Sequence, residues 1–235
     1  MAKPRRAKPA PPVLGPEHGP TFGEVIEARG LLAKTSEMTR ELIARSNAAA
    51  VEDGKVHLYV VSCFDCDAPK VCCSLLTSAY LYEVVPLVAR LRREGRDTPE
   101  LRRALAQAAH RMETTRKADY QTPCVFQGAD ERCTVYEDRP SICGTHLVSS
   151  PASHCSDPAV DRIVKLVSPL QSTVPRQVDE DFRDETSLRA IGASYSGALP
   201  RMVLLGLEAW DRRDYITFLA ERVLPAAHRF DWAVK

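Results

Sequence analysis

The sequence predicts a mainly α protein, a helical scaffold with short strands around a loop-rich cysteine core. Three observations predict it. Apolar residues recur at helical spacing over several long stretches, helix-start signals stand in front of them, and the 8 cysteines of the 235 residues fall into two blocks of turn-rich sequence. A chain of this length buries a sizeable core without disulfides, so one domain with extensions is expected.

Taken in order, residues 1–20, "MAKPRRAKPAPPVLGPEHGP", are dense in Pro, Lys, Arg and Gly. Such a segment buries too little apolar surface to offset its ordering entropy, and it reads as a disordered basic tail. Thr21 with Glu24 three places on signals a capping box, and a long helix broken near Gly30 follows. In "KVHLYVVSC", Val56, Leu58 and Val60 alternate with polar positions, the period of a strand running into Cys63. Glu83 to Glu94 reads as a helix with Pro86 in its first turn. "DTPELRRALAQAAHRMETTRK" reads as another, capped by Thr98, led by Pro99, with Leu101, Leu105, Ala108 and Met112 as its stripe. "SDPAVDRIVKLV" carries a further start signal, Asp157 before Pro158. "IGASYSGAL" fits helix packing better than a glycine-rich catalytic turn. Two apolar helices close the chain, with Met202, Val203, Leu207 and Trp210 in the first and Ile216, Leu219 and Val223 in the second. The expected organisation is the tail 1–20, a cysteine-cluster domain over 21–155 with its N-terminal helix, and a helical extension over 156–235 packed on it.

Lys and Arg number 32 against 31 Asp and Glu, so no global field favours nucleic acid or an anionic surface. The excess of Lys and Arg between Arg90 and Lys117 lies opposite an apolar stripe and reads as a solvated face. No stretch reaches the length of a membrane span or a secretory apolar region, and the expected setting is the cytoplasm. Thiols stay reduced there, which points the cysteines to metal ligation rather than disulfides.

The cysteines read Cys63-x2-Cys66-x5-Cys72-Cys73, then Cys124-x8-Cys133-x9-Cys143-x11-Cys155. A C-x2-C turn brings two thiolates onto one ion, so Cys63 and Cys66 nucleate a tetrahedral site. Neighbouring side chains in extended backbone point to opposite faces, which assigns Cys72 and Cys73 to different centres or to different corners of one polynuclear cluster. His146, three residues past Cys143, is an alternative ligand. Arg139 is placed to neutralise clustered thiolates, Pro140 to turn the chain back to Cys143, and Tyr136 to donate a supporting hydrogen bond; pairing of Arg139 with Glu137 or Asp138 is the other reading. No Walker loop, dinucleotide fingerprint or H-E-x-x-H occurs.

"CFDCDAPKVCC" followed by "PCVFQGADERCTVYEDRPSIC" resembles the YkgJ-like CxxCxxCC cysteine-cluster family, described as zinc- or iron-chelating. Cys124, Phe126, Gly128, Cys133, Tyr136, Arg139, Pro140 and Cys143 occupy the pattern of that family's second block. Similar clusters in flagellin lysine-N-methylases imply an iron–sulfur centre. The chain departs from the pattern in the longer gap from Cys66 to Cys72 and in Gly144-Thr145-His146, where relatives usually carry an arginine and an aromatic residue.

The expected function is a metal-binding protein whose cysteines hold an iron–sulfur cluster or zinc, iron being favoured, in metal handling, electron transfer or support of a modifying enzyme. The alternative is a metalloenzyme with an open metal position acting on a peptide or small molecule. Metal ion is the expected partner, a protein or peptide is a further one, and neither membrane nor nucleic acid is expected.

Overall fold

A computed structural model of the chain describes residues 19–61, 71–116, 119–155, 157, 159–160, 164–166, 170–191 and 196–223. The expected tail up to residue 18, together with Cys63 and Cys66, lies outside these residues. The described chain is mainly helical with short strands in two small sheets.

Helix α1 (Phe22–Ala28) starts where the sequence signals it: the Thr21 hydroxyl accepts from Glu24 N and the Glu24 carboxylate from Thr21 N. It ends at the expected break, where Gly30 takes φ 62° and opens α2 (Leu31–His57). That left-handed turn is cheap only for glycine. The expected strand at Val56–Val60 is not there. α2 runs through His57, and Leu58 then turns left-handed with its N–H on the Gly54 carbonyl. Among the described residues the alternation finds no neighbouring strand to pair with, and Val56, Leu58 and Val60 stay exposed.

Strand β1 (Ser78–Tyr80) leads into α3 (Leu81–Arg93), which begins two residues earlier than expected, so Pro86 sits inside it. α4 (Pro99–Thr114) follows, with the Thr98 hydroxyl accepting from Leu101 N as its cap signal requires. After the second cysteine block come the short α5 (Ser141–Gly144), β2 (Leu147–Val148) and β3 (Lys165–Leu166). β3 pairs antiparallel with β2; the helix expected after Asp157 lies partly outside the described residues, and among those described the Asp157 carboxylate accepts from Ala159 N in a turn. α6 (Leu170–Glu185) holds the acidic stretch. β4 (Ser196–Ala198) corrects the reading of "IGASYSGAL" as helix packing: it pairs with β1 in the register Ser78↔Ala198 and Tyr80↔Ser196. α7 (Leu199–Ala209) and a helix over 215–223, α8, close the described chain as expected.

β1 and β4 each feed directly into a helix, and the pairing sets α3 and α7 side by side, with α4 against α7 and α2 against α3. The core lies between them. Tyr82, Leu87 and Leu91 of α3, Leu105 of α4, and Met202 and Leu207 of α7 are fully buried. Each such side chain contributes about 1.5–3 kcal/mol by leaving water. α3 and α7 touch at Gly206, where an added Cβ would fall 2.9 Å from Val88 Cγ2. An ion pair with a buried carboxylate ties α4 to α7: half-buried Arg201 donates from Nε and Nη2 to the two oxygens of Glu113 at 2.8 and 3.0 Å.

At the far side, α1 docks on the end of α7. Phe22 N and Gly23 N donate to the carbonyls of Arg212 and Trp210, at 3.1 and 2.9 Å, so two of the N–H groups that a helix start leaves open are satisfied by the chain beyond α7. Phe22 packs between Trp210 and Tyr215.

Candidate metal centre

The second cysteine block is built on a tight hairpin. Phe126 and Val135, both buried in the core, anchor its two arms. Thr134 N donates to the Phe126 carbonyl and Gly128 N to the Arg132 carbonyl, each at 2.8 Å, and Gln127 bridges Cys133. Glu131, at φ 61°, makes the reversal. The hairpin sets Cys133 close enough to Cys124 for its charge to oppose ionisation of the Cys124 thiol.

A 3-10 turn over Tyr136–Asp138 then leads through Arg139 and Pro140 into α5. Cys143 N donates to the Pro140 carbonyl at 3.0 Å, the chain return that the Arg-Pro sequence suggests. α5 is held from outside. The buried Glu83 carboxylate, at the start of α3, accepts from Ser141 N at 2.8 Å and from Ser141 Oγ at 2.5 Å through Oε1, and from Tyr80 N at 2.9 Å through Oε2. Burial raises the Glu83 pKa against the lowering effect of these bonds. On its other side α5 meets α2. An added Cβ on Gly144 would lie 2.5 Å from Ile43 Cδ1, so glycine is the residue that lets α5 approach α2 this closely.

The first block approaches from the other direction. Cys124 N donates to the Cys73 carbonyl at 2.9 Å, joining the two blocks across fifty residues of intervening chain. Cys72 and Cys73 lie in the 3-10 turn Val71–Ser74, not in extended backbone. Their thiols share a hydrogen bond instead of diverging to opposite faces, which corrects the geometric premise drawn from their adjacency. Cys72 is exposed and Cys73 half-buried.

Electrostatically Cys72, Cys73, Cys124, Cys133 and Cys143 form one neighbourhood. The Cys73 thiol is pushed far up, first by its hydrogen bond to Cys72, then by burial and by the nearby charges of Cys72, Cys124 and Cys143. Cys124 is raised by burial and by Cys133, against a lowering hydrogen bond from the Phe126 backbone. Cys143 keeps some solvent contact as a residue, yet burial around its thiol is the largest influence raising it, followed by Cys124, Cys133 and Glu83. Arg139 acts in the opposite sense and lowers it. Without a cation these thiols suppress one another's ionisation; a thiophilic ion reverses the sign of that interaction. Among the described residues no three His, Cys, Asp or Glu side chains already form a group able to hold a metal ion. Cys155 stands on a separate 3-10 turn, Ala152–Cys155.

Arg139 lies over the Tyr136 ring, its guanidinium carbon 3.8 Å from the centroid. Asp138 pairs with Arg90 at 3.2 Å, which leaves Arg139 free to face the cysteines. The His146 pKa is lowered by burial and then by Lys165, so the imidazole is held toward its neutral form. A cavity of about 90 Å³ adjoins this corner, between α2, α3 and the Tyr136–Asp138 turn.

Sequence reasoning missed Glu83 and Ser141. Glu83 carried a local signal, three residues after Tyr80 at a helix start, but its bond to Ser141 spans 58 residues and has no sequence signature. No helix of the described residues is long and apolar enough to cross a membrane.

Residues 62–161, about two fifths of the chain, match the family model CxxCxxCC, described as a "putative zinc- or iron-chelating domain". No curated protein and no solved structure matches the chain.

Proposed function

From the CxxCxxCC domain that residues 62–161 carry, we propose that this protein holds a thiolate-ligated metal centre, an iron–sulfur cluster or zinc, with Cys63, Cys66, Cys72, Cys73, Cys124, Cys133, Cys143 and Cys155 as its donors. The observation that carries the reading is the junction of the two blocks: Cys124 N bonded to the Cys73 carbonyl, with Cys73 and Cys143 each raised by the charge of Cys124. Thiolate donors suit zinc and iron–sulfur clusters alike. Cys63 and Cys66 complete the donor set from the chain immediately before the described turn.

The surrounding residues have defined tasks. Arg139, fixed on Tyr136, offsets part of the negative charge that assembled thiolates carry. Glu83 holds the first residue of α5 by backbone and hydroxyl, and so sets where Cys143 stands. When bound, the metal supplies redox chemistry if it is iron, or a closed structural link if it is zinc. Metal handling, electron transfer or support of a modifying enzyme are the uses such a centre serves.

Anaerobic purification followed by a visible spectrum and elemental analysis tests the proposal. Broad visible absorption with several irons per chain supports the cluster. A colourless protein with stoichiometric zinc supports the zinc form and removes the cluster. Protein that stays metal-free after reconstitution with either metal overturns the reading.

A further inference from the structure

We propose that Cys72 and Cys73 are a peroxide-sensitive thiol pair that closes to a disulfide within its own turn and so withdraws two donors from the metal centre. The withdrawal of donors rests on the metal reading above; the closing of the disulfide does not. Both residues are thiols, and the 3-10 turn Val71–Ser74 sets them in hydrogen-bond contact, so the two sulfurs that must join are already neighbours. Their exposure differs. Cys72 is exposed, where a small oxidant in solvent reaches it, and Cys73 is half-buried. An accessible thiol with a second thiol in contact is the arrangement that carries a sulfenic acid on to a disulfide before it oxidises further.

The step balances with hydrogen peroxide as the oxidant. The Cys72 sulfur, as thiolate, attacks one peroxide oxygen; the S–O bond forms, the O–O bond breaks, and the departing hydroxide takes up the proton that Cys72 gave up and leaves as water. The Cys73 sulfur then attacks the sulfenic sulfur. The S–S bond forms, the S–O bond breaks, and the hydroxyl leaves as a second water with the proton of the Cys73 thiol. Two thiols together lose two electrons, and one peroxide gains them.

The backbone makes the bond a reversible one. Neighbouring Cα atoms lie about 3.8 Å apart across a trans peptide, short of the roughly 4.4–6.8 Å that disulfides span, so closing the ring must twist the peptide between Cys72 and Cys73. The carbonyl of that peptide, on Cys72, accepts from Leu75 N at 3.5 Å, a long bond that yields at little cost, whereas the Cys73 carbonyl is held by Cys124 N at 2.9 Å. The twist is therefore taken up on the Leu75 side, and the junction of the two blocks stays in place. A strained, exposed disulfide is more oxidising than a structural one, and glutathione returns it to thiols.

Cleavage by trypsin after Lys70 and Arg90 isolates both residues on one peptide, 71–90, with no other cysteine. The test treats the full chain, metal-free and zinc-loaded, with equimolar hydrogen peroxide under anaerobic conditions, quenches it with iodoacetamide, digests it without reductant and weighs the peptides by mass spectrometry, with released zinc followed on the loaded sample. Peptide 71–90 is expected without either alkyl group and two hydrogens lighter, and glutathione added before the quench should restore both alkylation sites. Zinc release should rise in step with that peptide. Cys73→Ser should leave a Cys72 sulfenic acid that dimedone traps, and Cys72→Ser should leave Cys73 largely unoxidised. A peptide that still takes both alkyl groups, that gains oxygen instead of losing hydrogen, or that is cross-linked to Cys124, Cys133 or Cys143 overturns the pair. Equal oxidation of the two variants overturns the assignment of Cys72 as the attacking thiol, and a disulfide that glutathione leaves intact overturns its reversibility. Loaded protein that keeps its zinc with the disulfide formed overturns the withdrawal of donors. A chain that takes up neither zinc nor iron yet forms the disulfide supports the pair and counts against the metal reading alone.

Discussion

Gly144→Ala is a small change whose size can be worked from the contact between α5 and α2. The new Cβ would lie 2.5, 2.7 and 2.9 Å from Ile43 Cδ1, Cγ1 and Cγ2. Rotation about the outer bond of Ile43 moves only Cδ1, and the branched Cβ leaves its inner torsion little choice of rotamer, so the side chain cannot withdraw from all three contacts. α5 or α2 must shift, and overpacking of this kind costs about 1–3 kcal/mol. For a chain of this size a loss of 2 kcal/mol lowers Tm by roughly 4–8 °C. The displacement is borne by α5, so Cys143 moves with it, and metal occupancy should fall along with Tm. Thermal unfolding by circular dichroism and elemental analysis read the two effects. Ile43→Ala deletes the atoms in conflict, so the double variant should be more stable than the sum of the single changes allows. Additivity to within about 0.5 kcal/mol would refute the argument, because independent sites behave that way.

Further outcomes follow from the same geometry. Cys73→Ser should lower metal content more than Cys72→Ser, because Cys73 is the half-buried member that feels Cys124 and Cys143; equal losses in elemental analysis would contradict this. Glu83→Gln should keep part of the hold on Ser141 and Glu83→Ala should lose it, so reconstituted metal content should fall in the order wild type, Gln, Ala. Because the thiols of Cys73, Cys124 and Cys143 are raised above their ordinary range, they are protonated in the metal-free protein at neutral pH; metal binding must release those protons, and affinity should climb with pH, as calorimetry in buffers of different ionisation enthalpy will show. The Asp97 pKa is lowered, chiefly by the Arg102 hydrogen bonds at 2.7 and 2.8 Å, so this pair stabilises the fold above the ordinary carboxylate pKa and loses that effect as pH falls through the lowered value; urea unfolding of Asp97→Asn against wild type should show a difference near pH 6 that vanishes in strong acid.

What the sequence revealed of this fold was what neighbours in the chain decide. Thr98 and Pro99 announce α4 because a cap and a fixed φ act within one turn, and the Gly30 break is legible for the same reason. Val56, Leu58 and Val60 misled because alternation makes a strand only when a partner exists, and the helix preceding them carried on to His57. Ser196–Ala198 was unreadable as a strand because its pairing residues lie more than a hundred positions earlier. The same division runs through the candidate centre. The cysteines stand out in the sequence by type and spacing, and so does the Arg-Pro turn. The junction of Cys124 N with the Cys73 carbonyl and the hold of Glu83 on Ser141 arise from backbone that only the assembled fold brings together.

The docking of α1 onto the carbonyls of Trp210 and Arg212 sets an order of events during synthesis. Phe22 leaves the ribosome well before Trp210 and Tyr215, the surface that covers it. Until Trp210 and Tyr215 emerge, α1 has no site to occupy, and its apolar face stays open to solvent or to a chaperone while the helices that form the centre of the molecule are already being made. Closing a contact across nearly the whole chain is entropically slow. α1, synthesised before every other helix of the described residues, is therefore among the last of them to be folded, and a truncation that removes only the residues after Ala209 would leave it without its docking surface.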